Sequence, residues 1–394
     1  MSPLLPQRRN DRNRHPPATL RTLASYGVAL LLPLCTFLFL VSGPHRPVLA
    51  LAWTMPLWLC LIADLLSPGN RSDPDPRLPR WPFDALLYTL AALQFANIVL
   101  LGELVSRLGW YDQESIITGL ANLLAIRVLL GNTSCCSGIA VAHELIHRRQ
   151  RFPRLLGRAL LCTVGYAHFA VEHIRGHHRF VGTAADPATA RLGESYREYW
   201  RRAIVAQWRS AWRLENERLD RLSIRGPRRW VRHEVVLGVV FELALLTVIA
   251  ARFGGLAALV FLWQALAAVR LLEAVNYFQH WGLVRDSGPF LPRHAWTTDS
   301  WFTQHAFLGL SRHADHHTHA ARPYFLLNHC AEGPTLPCGY FGMAFLAKSF
   351  NRHYQNVALR ALRQRSTADA IRMACRSGSA APASPASCPE DSPS

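Results

Sequence analysis

ITGLANLLAIRVLLGNTSCCSGIAVAHELIHRR, residues 117–149, joins a long apolar run to two histidines and a basic stop. Within Ile117–Val141 the only charged residue is Arg127. A bilayer core of about 30 Å takes roughly 20 helical residues, so this run can cross one. His143 and His147 follow at i and i+4, which places both imidazoles on one helical face just past the span. Five more runs have the same character: Ala24–Val41, Pro47–Leu66, Phe83–Leu101, Val235–Ala251 and Gly255–Leu272. The expected fold is an all-α membrane protein of six transmembrane helices.

The formal charge is +17, and arginine is concentrated in three places: the tail before residue 22, the stretch Arg71–Arg80, and above all the segment Arg148–Arg232. With six spans all three fall on one side, and positive charge marks the cytoplasmic side. The basic segments therefore read as topology signals and contacts to anionic lipid, not as a nucleic-acid surface, and no recognition-helix or RNA-binding pattern competes. Both termini and the long polar segment are expected inside a bacterial inner (plasma) membrane. A full-length span follows the basic tail without a small-residue cleavage site, so no removable signal peptide is expected.

Three divisions are expected: a basic disordered tail (1–22), a membrane domain (23–348), and a C-terminal extension (349–394), largely disordered and rich in Ala, Ser and Pro toward its end. Leu155–Val171 carries Arg158 and His168, so it reads as an interfacial or re-entrant segment, not a seventh span. A charged helix is expected over roughly Glu194–Asp220. The nine cysteines include no CxxC pair and read as small apolar residues. Arg127 and Glu242 lie inside spans, where charge is costly; a functional role or a salt bridge between helices would account for them.

Half of the eighteen histidines fall into four motifs. HELIHRR supplies His143 and His147, EHIRGHH supplies His173, His177 and His178, NYFQHWG supplies His280, and SRHADHH supplies His313, His316 and His317. All four lie at or just beyond the cytoplasmic ends of apolar runs. Burying so many imidazoles without a common purpose would strand several polar groups, so a shared metal site is the economical reading. Nine nitrogens exceed the needs of one ion, which implies two, in a histidine-rich di-metal domain on the cytoplasmic side. Imidazole suits Zn, Cu, Fe or Ni, and donor type alone does not select among them. HExxH is also the zinc-protease signature, but a protease would leave six or more histidines unexplained.

HELIHRR, EHIRGHHRFVGTAADPATARLGES, NYFQHWGL and SRHADHH, in this order, resemble the integral-membrane alkane monooxygenase family, related to xylene monooxygenases and the membrane fatty acid desaturases and hydroxylases. The likeness runs from about Ala24 to Phe345, and VGYAHF and TLPCGYFGMAF also fit it. It implies two non-haem iron ions held by the nine motif histidines, oxygen-dependent hydroxylation of the terminal carbon of an alkane, and electrons from rubredoxin with its reductase. The substrate would be a hydrophobic small molecule arriving through membrane lipid. Behind the ligands, Glu144, His168, Asp186, Glu273 and Asp315 are candidates for supporting roles, and no further catalytic residue is expected.

Some positions depart from the family pattern. NYxEHYG is usual for the third motif, whereas Gln279 and Trp281 stand here; Ser311 and Ala314 replace glutamine and serine in the fourth. A His-His-Ser-Trp-Asn element becomes Arg293-His294-Ala295-Trp296-Thr297. Losing a carboxylate beside a ligand alters what orients that ligand. Hydroxylation of alkyl-aromatic methyl groups, or acyl-chain hydroxylation or desaturation, is therefore the alternative, with an intramembrane zinc protease more remote. Trp53, Met55 and Trp58 are candidates for setting pocket depth. Without CxxC pairs or a GxGxxG fingerprint, electrons are expected from a separate carrier, and the arginine-rich face suits an acidic one.

Overall fold

The structure, a computed structural model, describes residues 16–285 and 288–376, with side chains from 19 to 365. Six helices are long and apolar enough to cross a membrane: α1 (Thr19–Ser42), α2 (Pro47–Leu65), α3 (Arg80–Ser106), α4 (Gln113–Ile146), α8 (Glu234–Phe253) and α9 (Gly255–His280). Between the fourth and fifth spans lie α5 (Arg151–Cys162), α6 (residues 169–180) and α7 (Tyr196–Arg221). After the sixth come α10 (Trp301–Ala306), α11 (His313–Thr318), α12 (Tyr340–Ser349) and α13 (Asn351–Arg376). No strand occurs among the described residues, only two isolated bridges. The expected tail and extension lie outside the described residues at 1–15 and 377–394. Inside them the chain is helical over Pro16–Tyr26 and again over Asn351–Arg376.

Local chemistry fixes several boundaries. In α3 no charged residue occurs between Asp84 and Glu103, and its 27 residues span about 40 Å, enough to cross a bilayer with tilt. Asp112 caps α4, its Oδ1 accepting from the Ser115 amide at 2.7 Å. Ser195 and Glu198 form a reciprocal capping box at the start of α7. Gly254, at φ +92°, makes the turn between α8 and α9 that a side chain would strain.

Burial separates the helices into inner and outer ones. α9 is the inner strut, packed on α3, α4, α8 and α12, while α2 and α8 lie outside. Phe241, Leu243 and Val248 of α8 are each about 60% exposed, an apolar surface suited to lipid. Inside, Gln94 Nε2 donates to Ser134 Oγ (3.0 Å) and Thr163 Oγ1 (3.1 Å), and Ser134 Oγ donates to Gln264 Oε1 (2.8 Å). Such bonds stabilise helix pairs in a bilayer by about 0.6 kcal/mol each. They converge on a widened π-turn in α4, Ser134–Ile139, which sets the rotation of the helix just before His143. Neither Arg127 nor Glu242 forms an ion pair among the described residues. The Arg127 guanidinium lies over the Trp263 ring at 5.7 Å, and Glu242 accepts the Ala167 amide at 2.7 Å.

α5 is a short amphipathic helix, not a span. Gly157, Leu160 and Leu161 are buried, Gly157 close against the end of α4, while Phe152, Leu155 and Arg154 face outward. Near the end of the second span, Asp64 ties α2 to the C-terminal third of the chain. Its Oδ1 accepts from Ser300 Oγ (2.8 Å) and Thr303 Oγ1 (2.7 Å), and its Oδ2 from the amides of Phe341 (2.9 Å) and Gly342 (3.2 Å). The carboxylate sits at the N-terminus of α12, where the helix dipole favours a negative charge. A side chain at Gly339 would collide with it.

Candidate metal centre

The nine motif histidines converge as two sets. His143, His147, His173, His178 and His316 form one, and His177, His280, His313 and His317 the other; within each, one ring nitrogen per residue lies within 4.8 Å of the rest. His143 and His147 end α4, His280 ends α9, and the others come from α6 and α11. The second motif sends His173 and His178 to the five-membered set and His177 to the other; the fourth sends His316 to the first and His313 and His317 to the second. A π-turn over His173–His177 helps adjacent residues diverge in this way.

Facing Nε2 atoms lie 3.0–3.2 Å apart: His173 to His147 and His178, His178 to His316, and His313 to His280 and His317. One imidazole has one ring proton, so a chain of Nε2 atoms shared with two neighbours apiece cannot be satisfied by hydrogen bonds alone. Nitrogens bound at about 2.1 Å to one ion at right angles sit about 3.0 Å apart, which is the spacing seen. His177 Nε2 is buried and has no protein partner, while its Nδ1 faces Asp186 Oδ2 at 3.0 Å. Burial, reinforced by the neighbouring imidazoles, holds His173, His178, His313, His316 and His317 well below the usual imidazole range. Burial likewise lowers His147, to about 4. These rings are neutral near pH 7 and offer lone pairs, so the donor set fits two metal ions.

The candidates for supporting roles are arranged differently from one another. Asp186 alone among the five bonds directly to a motif histidine, and it also accepts from Thr189 Oγ1 (2.6 Å) and the Ala188 amide (3.0 Å). Burial works to raise its carboxyl, but His177 and the Thr189 hydroxyl hold it below the ordinary range. Glu144 turns instead to Arg148 at 2.6 Å. Glu273 accepts from Tyr166 and Tyr199 hydroxyls and Gln207, each at 2.9 Å. Asp315 binds His319, Arg322 and the Asn328 amide. His168 packs edge-on against Tyr166 and Trp208.

Two features were not foreseen. Glu172, one residue before His173, is buried with neither oxygen bonded; burial and then the Asp186 charge push its carboxyl up. A cavity of about 30 Å³ touches both sets: it is lined by His143, His173 and His313, by Gln279, and by apolar residues that include Ile139, Leu272, Val275, Phe307 and Leu310. Its wall residues Cys135 and Ile139 stand eight and four before His143, and Leu272 and Asn276 eight and four before His280, so stepping back along each ligand helix would have found them. The bulky residues of α2 are not among its walls: Met55 and Trp58 face outward and Trp53 packs on Phe39 and His45.

Residues 118–344 match the fatty acid desaturase family. Alkane 1-monooxygenase 1 of Pseudomonas aeruginosa is 36% identical over 300 residues, covering 73% of this chain and 76% of that protein. Alkane 1-monooxygenase 1 of Alcanivorax borkumensis is 32% identical over 300 residues, with 73% and 71% covered. The xylene/toluene monooxygenase hydroxylase component of Pseudomonas putida is 29% identical over 201 residues, covering 50% of this chain and 54% of that protein. With six apolar helices enclosing a histidine cluster of this kind, the chain is a multi-pass membrane oxidoreductase and belongs to the integral-membrane alkane 1-monooxygenase family, on the fatty acid desaturase scaffold.

Proposed function

We propose that this chain is a non-haem di-iron monooxygenase that hydroxylates the terminal carbon of an alkane with molecular oxygen and electrons from rubredoxin. The observation that carries this reading is the pair of histidine sets, nine imidazoles in all, beside a small apolar cavity at the ends of α4 and α9. His143, His147, His173, His178 and His316 would hold one iron, and His177, His280, His313 and His317 the other. Bound iron supplies oxygen activation and C–H cleavage.

The protein's own part is orientation and exclusion of water. Asp186 accepts the Nδ1–H of His177, so the lone pair on Nε2 faces the four-histidine set. About 30 Å³ leaves room for little more than a methyl group, so Ile139, Leu272, Val275 and Leu310 present a chain end to the ligands and keep bulk water out. A hydrocarbon dissolved in lipid would reach it between helices. The active site and both termini would face the cytoplasm of a bacterial inner membrane, with residues 23–348 as the oxygenase domain. On that side a groove of about 700 Å³ is lined by Arg191, Arg201, Arg209 and Arg213, with Asp186 at its edge, which suits an acidic carrier such as rubredoxin.

Gln279, on the cavity wall where an acid is usual, and the xylene-type relative favour alkyl-aromatic methyl groups as the second reading. The test is to reconstitute the full chain in lipid with a rubredoxin and its reductase, supply alkanes and alkyl-aromatics, and identify products by mass spectrometry alongside metal analysis. A primary alcohol with two irons per chain is expected. Alkene products would move the chain to desaturation, and zinc with oxygen-independent peptidase activity would overturn the proposal.

A further inference from the structure

Four successive ring contacts lead from the surface of α7 to the five-histidine set. Trp208, about one-third exposed, meets His168 edge-on with centroids 5.0 Å apart. His168 meets Tyr166 at 4.3 Å, Tyr166 stacks on Phe169 at 6.0 Å, and Phe169 stacks on His173 at 4.8 Å with 21° between planes. Three of these rings come from one short segment, VGYAHF. Packing alone would explain aromatic rings in a core, but two further observations point to redox use. The oxidisable rings alternate with bridging ones, so a single imidazole separates Tyr166 from Trp208. Tyr166 also donates its phenolic hydrogen to Glu273 Oε1 at 2.9 Å, a ready acceptor for the proton that a tyrosine must lose when oxidised.

The geometry points to Trp208, His168, Tyr166 and Phe169 as an escape route that carries single oxidising equivalents from the metal site to the protein surface when no C–H bond is in place. This rests on the proposed oxygen-activating function. When oxygen has been reduced at the metals without substrate, Tyr166 gives one electron to the oxidised centre and its proton to Glu273. Trp208 then gives one electron to the tyrosyl radical, which recovers its proton from Glu273. The Trp208 radical cation releases its indole proton to water. The neutral Trp208 radical then takes one electron from the reduced carrier and one proton from water to restore tryptophan, or it adds oxygen and the resulting peroxyl radical takes one electron from the carrier and one proton from water to leave a hydroperoxide. The ligands and the cavity wall are thereby spared.

The test uses the full iron-loaded chain in lipid, with reduced rubredoxin, oxygen and catalase, with and without alkane, read by peptide mass spectrometry. In the wild type, oxygen atoms are expected on Trp208 without alkane and not with it. Tyr166→Phe should abolish Trp208 oxidation and move damage to Phe169 and the site histidines. Trp208→Phe, a surface change, should instead prolong an organic radical in frozen samples, whose electron paramagnetic resonance signal narrows when the chain carries ring-deuterated tyrosine. The relay is overturned if the wild type oxidises its site histidines while Trp208 stays intact, if Tyr166→Phe leaves Trp208 oxidation unchanged, or if Trp208→Phe shows no tyrosyl signal. Normal alkane hydroxylation alongside any of these results leaves the proposed function standing. Absence of oxygen uptake in the wild type removes the function and the relay together.

Discussion

The two histidine sets invite comparison because one polypeptide builds them differently from the same motifs. The four-membered set is fully buried, draws on α6, α9 and α11, and has a carboxylate, Asp186, bonded to one of its members. The five-membered set draws on α4, α6 and α11, leaves His147 and His178 partly exposed, and has no carboxylate bonded to any member among the described residues. One set gains definition from a charged hydrogen-bond acceptor, the other from an extra imidazole. The difference teaches that equal-looking motifs need not give equivalent histidine sets.

The sharpest way to break the comparison is to remove one member from each set. His280→Ala leaves three histidines in the smaller set and opens a position on any ion held there, so turnover should be abolished and bound metal should fall by up to one ion per chain. His147→Ala leaves four on the other and should retain more of both. Metal analysis on purified protein, paired with product formation, checks this; equal losses would erase the distinction. A smaller effect is expected behind the ligands. Asp186→Asn should cost about 10–100-fold in metal affinity or activity, because the amide no longer fixes the His177 tautomer. Glu144→Gln, which loses an ion pair to Arg148 and no histidine contact, should cost far less. Smaller still, a double reversal, Arg201→Glu with Arg209→Glu, should raise the apparent KM for rubredoxin about 10-fold at low salt and flatten its salt dependence. Insensitivity to both salt and charge would rule out this groove as the docking site.

The smallest expected effect concerns pH. His168 stands on the five-histidine side without an acid partner, and burial holds it at about 4. Its folded pKa lies below the unfolded value near 6.5, so between those values the unfolded chain binds a proton that the folded chain does not. Stability therefore falls as pH drops through that window, by about 1 kcal/mol at pH 5.5 from this residue. His168→Gln should remove that part of the slope in thermal unfolding of the solubilised protein; an unchanged slope would mean the ring is not held neutral.

Much of the site could be read from spacing, because i, i+3 and i+4 relations fix which side chains share a helical face. His143 and His147, or His313, His316 and His317, needed no tertiary knowledge to be grouped by motif. Their division into five and four could not be read, since it depends on a π-turn at His173–His177 that no local residue preference announces. The charged helix expected over roughly Glu194–Asp220 is found at Tyr196–Arg221, and its start is fixed locally by the exchange of hydrogen bonds between Ser195 and Glu198. Glu144 went to Arg148, and Trp58 to the outside, for reasons set by helices far away in sequence. Arg127 shows the same limit: a cation inside a span needed a partner, and the sequence could not say that it would be the Trp263 ring.

Asp64 has a consequence for how the protein is made. Its four donors come from residues 300, 303, 341 and 342, while its own helix is the second to leave the ribosome. During synthesis the N-terminal spans insert first, so this carboxylate waits for the last third of the chain to arrive. His313, His316 and His317 lie in that same last third, so both histidine sets would be completed only after it has been made. A chain truncated after residue 299 lacks His313, His316 and His317 along with every Asp64 donor, and in metal uptake it should behave as an unloaded nascent intermediate does.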